Sequence, residues 1–460
     1  MIRISLYEIS VLTKGKLYGI SNIKSRKTYI ESIEIDSRKN SSNFLFIAIA
    51  GKNFDGHSFI DETIKNGAKA LLVSKKVKTV FPQIIVLDTK VAIYQLAKWN
   101  REKSKAKFVG ITGSSGKTTV KEMTASILSE CGHTIFTKKN LNNDLGVSLT
   151  LLKVKDYHKY AVIEIGANKT GEIQFISKII RPDVALVNNI YPSHLRGFKN
   201  FNNLIMEKGK IFCELKRDGI AIINISNKYW KMWKANFSEN QKICFFSFRK
   251  KIESNFYAKN IYIRLFNSEF NLCTTVGNIH INLPFLGKHN IENSLAASAI
   301  SITVGAKLKH IRNGLKKLLP LSGRLCPIIL SKNKVVLDDT YNSNIGSIIS
   351  SVKILSRMPG YRLLVISDIN EMGNYSTYYH KEIARIIDTI KINKVFSIGK
   401  KSIFISKINK SGKHFFSKGN LTEKIFSLIE RKLKISILIK GSRSFYLEEI
   451  IKSIKEKFLC

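Results

Sequence analysis

An apolar strand runs into a glycine-rich turn and a helix in the stretch Phe108-Val109-Gly110-Ile111-Thr112-Gly113-Ser114-Ser115-Gly116-Lys117-Thr118-Thr119. We expect the helix to begin near Lys117, so that the turn directs backbone N–H groups into one concavity beside the positive end of the helix dipole. The Lys117 amine can reach the β- and γ-phosphates of a nucleotide, and the Thr118 hydroxyl can bind Mg²⁺. Residues 112–119 therefore predict a site for a nucleoside triphosphate.

The sequence on either side of this stretch predicts an α/β protein of three domains. From about 88 to 322, apolar strands at 108–111, 160–165, 184–187 and 220–223 alternate with helical stretches, which is typical of a parallel sheet covered by helices. The alternation returns in 323–460, where a Rossmann-like, doubly wound sheet is expected, without the glycine pattern of a dinucleotide site. Residues 1–87 mix short strands with one amphipathic helix at 59–66. A hinge is expected at 319–323.

The charge is strongly positive, with 76 Lys and Arg against 34 Asp and Glu and a net charge of +42. A nucleic-acid partner is one interpretation, because basic side chains neutralise phosphates. The basic residues are nevertheless spread along the whole chain, as codon usage in an AT-rich genome would produce. A nucleic-acid-dependent ATPase stays open as an alternative, with the acids after 335–337 as its Mg²⁺ element, but no aromatic and basic channel pattern accompanies it. We expect no specific nucleic-acid partner.

The cysteines indicate a reducing compartment, since the six at 131, 213, 244, 273, 326 and 460 show no paired spacing. The first residues lack the apolar segment of a signal peptide. No stretch approaches the ~18 apolar residues of a membrane span. The sequence therefore predicts a cytoplasmic protein without a membrane span, and we expect a monomer.

Four residues beyond the turn are candidates for catalysis or metal binding. Glu164 ends an apolar strand, where a carboxylate beside a phosphate site is placed to bind Mg²⁺. His194 follows the strand at 184–187, Lys208 lies in the stretch 207–212 as one lysine among many, and Asn142 lies in an asparagine-rich loop at 140–146. Each is also compatible with an ordinary surface or loop position when considered alone.

Taken together, these motifs resemble the Mur ligase family from one end of the chain to the other. The order and spacing of the conserved-looking segments carry the resemblance, and they lie at 36–39, 54–57, 112–119, 140–146, 164–173, 194–198, 287–293, 323–324, 338–344, 368–373 and 440–444. The stretches at 164–168, 338–344 and 440–443 are most similar to the family member that adds D-alanyl-D-alanine. Another amino-acid-adding member and folylpolyglutamate synthetase remain alternatives, as does an inactive descendant kept as a scaffold.

The resemblance implies an ATP-dependent peptide ligase of peptidoglycan precursor synthesis. The peptide carboxylate of UDP-N-acetylmuramoyl-tripeptide would attack the γ-phosphate of ATP, giving an acyl phosphate and ADP. The amine of D-alanyl-D-alanine would then displace phosphate. Two Mg²⁺ ions are implied, because the two reacting groups are both anions.

The resemblance also implies roles for individual residues. Lys117, Glu164, His194 and Lys208 would be catalytic. Thr118 and Glu164 would bind the first Mg²⁺, and His194, Glu164 and a carbamate on Lys208 the second, with Glu207 as a competing carboxylate. The nucleotide would also meet Asn290, Asn293, Arg324 and Asp339. The remaining substrate residues would be Ser37, Arg38, Asp55, Gly56 and His57 for the UDP group, and Asn142, Asn342, Asn344, Lys440 and Ser442 for the peptides.

Overall fold

The computed structural model of the chain describes residues 1–39, 42–51 and 53–459. Its three large sheets are each built from one continuous stretch of chain, and they define an N-terminal, a central and a C-terminal unit. The α/β fold class predicted from the sequence is confirmed. Cys460 lies outside the described residues, and the cysteines at 131, 213, 244, 273 and 326 are free thiols.

The N-terminal unit has a five-stranded sheet in which Ala68–Val73 lies between Phe44–Ile47 and Gln83–Ile85. The remaining strands of this unit are Lys16–Tyr18, Ser32–Glu34 and the separate pair Ile4–Ser5 and Tyr29–Ile30. Its helices are Leu6–Leu12, Asn22–Lys27 and Ile60–Lys65, with a 3₁₀ turn at Gly56–Phe59. The helix expected at 59–66 is therefore present.

The central unit has a nine-stranded sheet with Lys107–Thr112 between Tyr160–Glu164 and Val184–Val187. Its other strands are Thr134–Phe136, Ile220–Asn224, Lys242–Ser247, Phe256–Ile263, Ser268–Thr274 and Gly277–Leu283. Its helices are Thr89–Lys103, Lys117–Ser129, Asp144–Leu152, Glu172–Ile180, Leu195–Phe198, Phe201–Gly209, Lys288–Thr303 and Leu308–Lys316, with 3₁₀ segments at Lys210–Glu214 and Trp230–Asn236.

Most of the central sheet is parallel, as the alternation of strands and helices predicts, but one edge is not. Ser268–Thr274 pairs antiparallel with both Phe256–Ile263 and Gly277–Leu283. The connection between Thr274 and Gly277 is too short for the crossover that a parallel pair requires, so a hairpin forms instead.

Both faces of the parallel strands are buried, which explains their nearly continuous apolar sequence. Phe108 packs into the core on one face, whereas Val109 and Ile111 pack into the core on the other. The carboxyl ends of these strands are consequently fixed in position, and the loops that follow them meet along one edge of the sheet.

The C-terminal unit has a six-stranded sheet in which Ile435–Lys440 lies between Lys334–Asp339 and Tyr361–Ser367. Lys394–Ile398 and Gly412–Phe415 continue the parallel part, and Cys326–Ser331 adds an antiparallel edge strand. The helices are Ile345–Leu355, Ser376–Asp388, Ile403–Ile408, Lys418–Arg431 and Glu448–Phe458, with 3₁₀ turns at Gly373–Tyr375 and Arg443–Phe445. This is the doubly wound arrangement predicted from the sequence.

The segment expected as a hinge enters the C-terminal unit through Gly323, whose φ of +73° favours glycine. A Cβ atom here would lie 3.1 Å from the backbone nitrogen of Tyr341. The Gly323 N–H donates to Asp338 Oδ2 at 2.9 Å, and the Gly323 carbonyl accepts from the Tyr341 N–H at 3.0 Å. The hinge is thus tied to the end of the strand Lys334–Asp339.

None of the helices in residues 1–39, 42–51 and 53–459 has both the length and the apolar content that a membrane span requires.

The C-terminal unit touches the glycine-rich turn of the central unit through Asn344. The Asn344 amide donates to the Ser114 carbonyl at 3.2 Å and to Ser115 Oγ at 2.7 Å. Its Oδ1 accepts from the Ser347 N–H at 2.9 Å and so caps the helix Ile345–Leu355. One side chain therefore both begins a helix and joins two units.

We expect Asn344→Asp to weaken this junction while keeping the helix cap. The carboxylate still accepts from the Ser347 N–H, but it loses the amide donors and faces the Ser114 carbonyl oxygen, at a cost of about 1–3 kcal/mol. Small-angle scattering should then report a larger radius of gyration than in the wild type. Asn333→Asp, which changes an exposed asparagine of the same unit, is the control. Identical scattering from all three proteins would show that Asn344 does not hold the units together.

Candidate nucleotide and metal site

The helix Lys117–Ser129 begins directly after the glycine-rich turn, as predicted, and Gly116 makes this start possible. Its φ is +75°, and a Cβ atom would lie 2.6 Å from Asn188 Nδ2 and 2.7 Å from Asn293 Oδ1. No side chain caps this helix. The N–H groups of its first turn therefore remain available to an anion.

Two asparagines that follow the strand Val184–Val187 hold the turn in place. The Ser114 N–H donates to the Asn189 carbonyl at 2.9 Å, and the Ser115 N–H donates to Asn189 Oδ1 at 2.8 Å. The Asn188 amide donates to the Ser115 carbonyl at 3.0 Å. The structure therefore differs from the expectation that all the N–H groups of the turn face a phosphate, because those of Ser114 and Ser115 are bonded to Asn189.

Thr118, Glu164 and Arg324 meet at the carboxyl edge of the central sheet. Thr118 Oγ1 donates to Glu164 Oε2 at 2.9 Å and accepts from Arg324 Nη2 at 2.9 Å. The amide of Asn142 donates to the other carboxylate oxygen of Glu164 at 2.8 Å. Four residues that are distant in the sequence, and that were all predicted as site residues, are thereby in one hydrogen-bonded group.

Lys117 lies beside this group, with its amine donating to the Gly113 carbonyl at 2.8 Å. Burial lowers the pKa of Lys117, and the charge of Arg324 acts in the same direction, while Glu164 opposes both. The negative charge of a triphosphate would balance the positive charges of Lys117 and Arg324.

Lys208 is almost completely buried, with 2% of its surface exposed at the end of the helix Phe201–Gly209. Its amine lies 3.4 Å from Thr112 Oγ1. Burial first and the charge of Lys117 second hold the pKa of Lys208 well below its ordinary value. No pattern in the sequence indicates this burial, since Lys208 is one lysine among many.

The neighbouring Glu207 was expected to compete as a metal ligand, and its two oxygens differ in their surroundings. Oε1 accepts from the Ile173 N–H at 2.9 Å in the first turn of the helix Glu172–Ile180. Oε2 pairs with Lys210 Nζ at 3.2 Å. Oε1 thus supports the start of a helix, while Oε2 is buried without a hydrogen bond within the described part of the chain, and the charge of Glu207 acts on Lys208.

His194 lies at the start of the short helix Leu195–Phe198, in the left-handed region with φ of +52°. Its Nδ1 contacts a carboxylate oxygen of Glu371 from the C-terminal unit. This contact holds the pKa of Glu371 below its ordinary value.

The predicted metal ligands fit Mg²⁺ only in part without substrate. Among the described residues, no three or more His, Cys, Asp or Glu side chains form a cluster that could hold a metal ion. Mg²⁺ is commonly bound by one or two carboxylates together with substrate phosphates and water, however. The half-buried Thr118 hydroxyl and the buried Glu164 carboxylate beside the helix start supply the hard oxygen ligands that this mode requires.

Asn290 and Asn293, expected to meet the adenosine, are buried in the helix Lys288–Thr303. The Asn293 amide donates to Asn290 Oδ1 at 3.1 Å, and its Oδ1 accepts from the Asn188 amide at 2.9 Å. The Asn290 amide donates to the Leu286 carbonyl at 2.8 Å. The structure thus connects both residues to the glycine-rich turn through Asn188.

Asp339 and Lys440, predicted to face the nucleotide and the dipeptide, form an ion pair inside the C-terminal unit. Lys440 Nζ lies 2.6 Å from Asp339 Oδ2 and donates to the Asn342 carbonyl at 3.1 Å. Ser442 Oγ donates to the Asp368 carbonyl at 2.7 Å and accepts from the Asn370 N–H at 3.0 Å. These residues join the loops at the carboxyl edge of the C-terminal sheet.

The residues expected to hold a UDP group do not all meet in the N-terminal unit. Asp55 contacts His57 Nδ1 at 2.5 Å and Lys75 Nζ at 3.2 Å, and His57 Nε2 accepts from the Ser74 N–H at 3.0 Å. These contacts fix the turn around Gly56. Arg38 instead pairs with Asp36 at 2.8 Å and is 80% exposed, while the Ser37 carbonyl accepts from Asn66.

Sequence reasoning missed Asn188, Asn189 and Glu371. The signal for the two asparagines was present, because they directly follow a parallel strand that neighbours the strand of the glycine-rich turn. The contact of Glu371 with His194 depends on how two units meet, and no local pattern indicates that.

Comparison with known proteins identifies close relatives along the whole chain. A model described as "Mur ligase family, catalytic domain" matches residues 29–125, and one described as "Mur ligase middle domain" matches residues 111–301. The UDP-N-acetylmuramoyl-tripeptide--D-alanyl-D-alanine ligase of Buchnera aphidicola subsp. Acyrthosiphon pisum is 46% identical, over 99% of this chain and 98% of the relative. The protein of the same name from Escherichia coli is 42% identical over the full length of both.

The fold is similar to that of a solved structure as well. A crystal structure of MurF from Acinetobacter baumannii superposes with a TM-score of 0.90 at 31% identity, covering 99% of both chains.

We expect Asn189→Ala to weaken binding of a nucleoside triphosphate about tenfold. The Ser115 N–H loses its acceptor, Asn189 Oδ1, and the glycine-rich turn loses the support of that hydrogen bond, at a cost of about 1–3 kcal/mol. Titration calorimetry with a non-hydrolysable analogue measures the dissociation constant, and Asn278→Ala, at an exposed position of the same unit, is the control. An unchanged dissociation constant for Asn189→Ala would remove the proposed support.

Proposed function

The chain belongs to the Mur ligase family, and we propose that it joins D-alanyl-D-alanine to UDP-N-acetylmuramoyl-tripeptide with the cleavage of ATP to ADP and phosphate. The single observation that carries the chemistry is the group of Thr118, Glu164 and Arg324 beside an uncapped helix N-terminus. Full-length relatives at 42% and 46% identity carry this name.

The physical problem in this reaction is that a peptide carboxylate must approach a triphosphate. Two unit charges at 4 Å repel by about 4 kcal/mol at an effective dielectric constant of 20. Lys117 and Arg324 supply fixed positive charge on either side of Thr118, and the first-turn N–H groups of the helix Lys117–Ser129 add partial positive charge. These groups would stabilise the charge that builds up on the γ-phosphate as the acyl phosphate forms.

Thr118 and Glu164 would hold a first Mg²⁺, and His194, Glu164 and Lys208 would hold or support a second. When bound, Mg²⁺ supplies positive charge between the two anionic reactants. Thr118 Oγ1 donates a hydrogen bond to Glu164 Oε2, so the two oxygen atoms are close enough for one cation to bind both in place of that hydrogen bond.

Lys208 is suited to become a carbamate. Only a neutral amine attacks CO₂, forming an N–C bond and releasing one proton, and the lowered pKa keeps the Lys208 amine neutral more readily than an ordinary lysine. The product is an anion, which the nearby charge of Lys117 stabilises. The carbamate oxygens would be hard ligands for Mg²⁺.

The three stretches 1–87, 88–322 and 323–460 would divide the substrates among them. The first would bind the UDP group through the turn around Gly56, together with Ser37 and Arg38, and the second would bind ATP and, with Asn142, the reacting peptide end. The third would bind the dipeptide near Asn342, Asn344, Lys440 and Ser442. We further propose that the enzyme acts as a cytoplasmic monomer without a specific nucleic-acid partner.

The engagement of the acids at 338–339 argues against a nucleic-acid-dependent ATPase. Asp338 accepts from the Gly323 N–H at 2.9 Å and the Thr340 hydroxyl at 2.6 Å. Asp339 is paired with Lys440. Neither carboxylate is free to serve as the Mg²⁺ element of a motor protein.

Phosphate release from ATP tests the function directly. We expect release only when UDP-N-acetylmuramoyl-tripeptide and D-alanyl-D-alanine are both present, and no stimulation by DNA or RNA. Omitting either substrate, or replacing the tripeptide substrate with a folate, provides the matched controls. Release that depends on a folate and glutamate would replace the proposal with folylpolyglutamate synthesis.

Labelling with ¹³C-bicarbonate tests the carbamate. We expect a ¹³C NMR carbamate signal in the wild type and in Lys178→Ala, an exposed lysine control, and its loss in Lys208→Ala. Turnover should fall at least 10²-fold in Lys208→Ala with ATP-analogue affinity nearly unchanged, and a small carboxylate should restore part of it. A signal that persists in Lys208→Ala, or full activity in that variant, would contradict the assignment.

A further inference from the structure

Glu371 brings the C-terminal unit into contact with His194, a residue of the candidate metal site. It follows the strand Tyr361–Ser367, in the loop at 368–373, and its carboxylate contacts Nδ1 of His194. The Glu371 carbonyl also accepts from the Arg196 N–H at 2.9 Å. The loop therefore contacts the start of the helix Leu195–Phe198 at two points, one on a side chain and one on the backbone.

Both partners of this contact adopt backbone conformations that are rare for their residue types. His194 has a φ of +52° and Glu371 a φ of +63°, both in the left-handed region. Such a conformation costs about 1–3 kcal/mol and persists only where surrounding contacts enforce it. Two such residues are in contact across the junction between the central and C-terminal units, which indicates that the surrounding structure enforces the geometry of this pair.

The loop that carries Glu371 is anchored within the C-terminal unit. The hydroxyl of Ser442 donates to the Asp368 carbonyl at 2.7 Å and accepts from the Asn370 N–H at 3.0 Å. The Ile369 N–H donates to Nε2 of His380 at 3.0 Å. Glu371 consequently moves with the C-terminal unit, not independently of it.

We propose that Glu371 is a positioning residue that fixes the tautomer and orientation of His194, and that it does so only when the C-terminal unit is closed on the central unit. This inference rests on the proposed role of His194 toward the second Mg²⁺. A carboxylate on one ring nitrogen holds the proton there and leaves the other nitrogen with its lone pair. Because the Glu371 carboxylate lies against Nδ1, Nε2 is the nitrogen presented to the metal.

The consequence is a link between domain closure and metal binding. The central unit alone supplies Thr118, Glu164, Lys208 and His194, but the group that sets the ring of His194 comes from the C-terminal unit. An open enzyme would therefore hold the second Mg²⁺ less tightly than a closed one.

Two measurements on the full chain test this assignment, using Glu371→Ala, Glu371→Gln and the control Asp388→Asn, which removes an exposed carboxylate of the same unit. The first is ¹⁵N NMR of histidine-labelled protein without metal, with the His194 signals identified by their loss in His194→Gln. We expect the Nδ1–H tautomer in the wild type and the control, and a shift toward Nε2–H in Glu371→Ala. Glu371→Gln should retain Nδ1–H, because its amide oxygen still accepts the bond.

The second measurement is titration with Mn²⁺, followed by electron paramagnetic resonance in the presence of adenylyl imidodiphosphate. We expect Glu371→Ala to weaken the His194-dependent Mn²⁺ site about 10- to 100-fold and Glu371→Gln to recover part of the affinity. An unaltered tautomer or unaltered Mn²⁺ affinity in Glu371→Ala would overturn the proposal. If His194→Gln also binds Mn²⁺ like the wild type, the failure lies in the proposed metal role of His194; if only His194→Gln is weakened, the failure lies with Glu371.

Discussion

The placement of two lysine amines, Lys117 and Lys208, near each other is the constraint on which the site depends. Both amines lie at the carboxyl edge of the central sheet, and burial together with mutual repulsion lowers the pKa of Lys208. Burying an unpaired cation is costly, so such a pair persists only where something compensates for it. The buried carboxylates that oppose these cations are Glu164 and Glu207, and Glu207 is also paired with Lys210. A bound triphosphate and a carbamate on Lys208 would each add negative charge where the apoprotein lacks it.

Neutral asparagine side chains hold in place the loops and side chains that form the charged site. Asn188 and Asn189 hold the glycine-rich turn, Asn293 holds Asn188, and Asn142 holds Glu164. Amide side chains can donate and accept hydrogen bonds without a net charge, so they fix the loop and leave its electrostatic potential to the cations. The many asparagines of this chain reflect its composition, but these four occupy buried or half-buried positions, and the amide group of each makes a hydrogen bond that supports the site.

The sequence predicted most of the elements and part of the site, and the division has a physical basis. The helix after Gly116, the strands of the two parallel sheets and the meeting of Thr118, Glu164, Asn142 and Arg324 followed from local patterns and from the family resemblance. The burial of Lys208 could not be predicted, because a lysine in a helix is normally solvated. The engagement of Glu207 with Ile173, and of Glu371 with His194, depends on packing between distant segments. The hairpin at 268–283 was missed because short apolar strands read alike in parallel and antiparallel sheets.

The two parallel sheets face each other with their carboxyl edges, and this explains why so many site residues lie in loops. Ser115, Glu164 and His194 end or follow central strands, whereas Asn344, Glu371 and Ser442 follow strands of the C-terminal unit. Loops at this edge bind ligands in open α/β sheets generally. Where the two edges meet, residues of the C-terminal unit contact residues of the central unit. Asn344 contacts Ser115, and Glu371 contacts His194. A reaction between two anions would benefit from this arrangement, because closure of the two units would bring both sets of loops around the reactants and exclude water from the space between them.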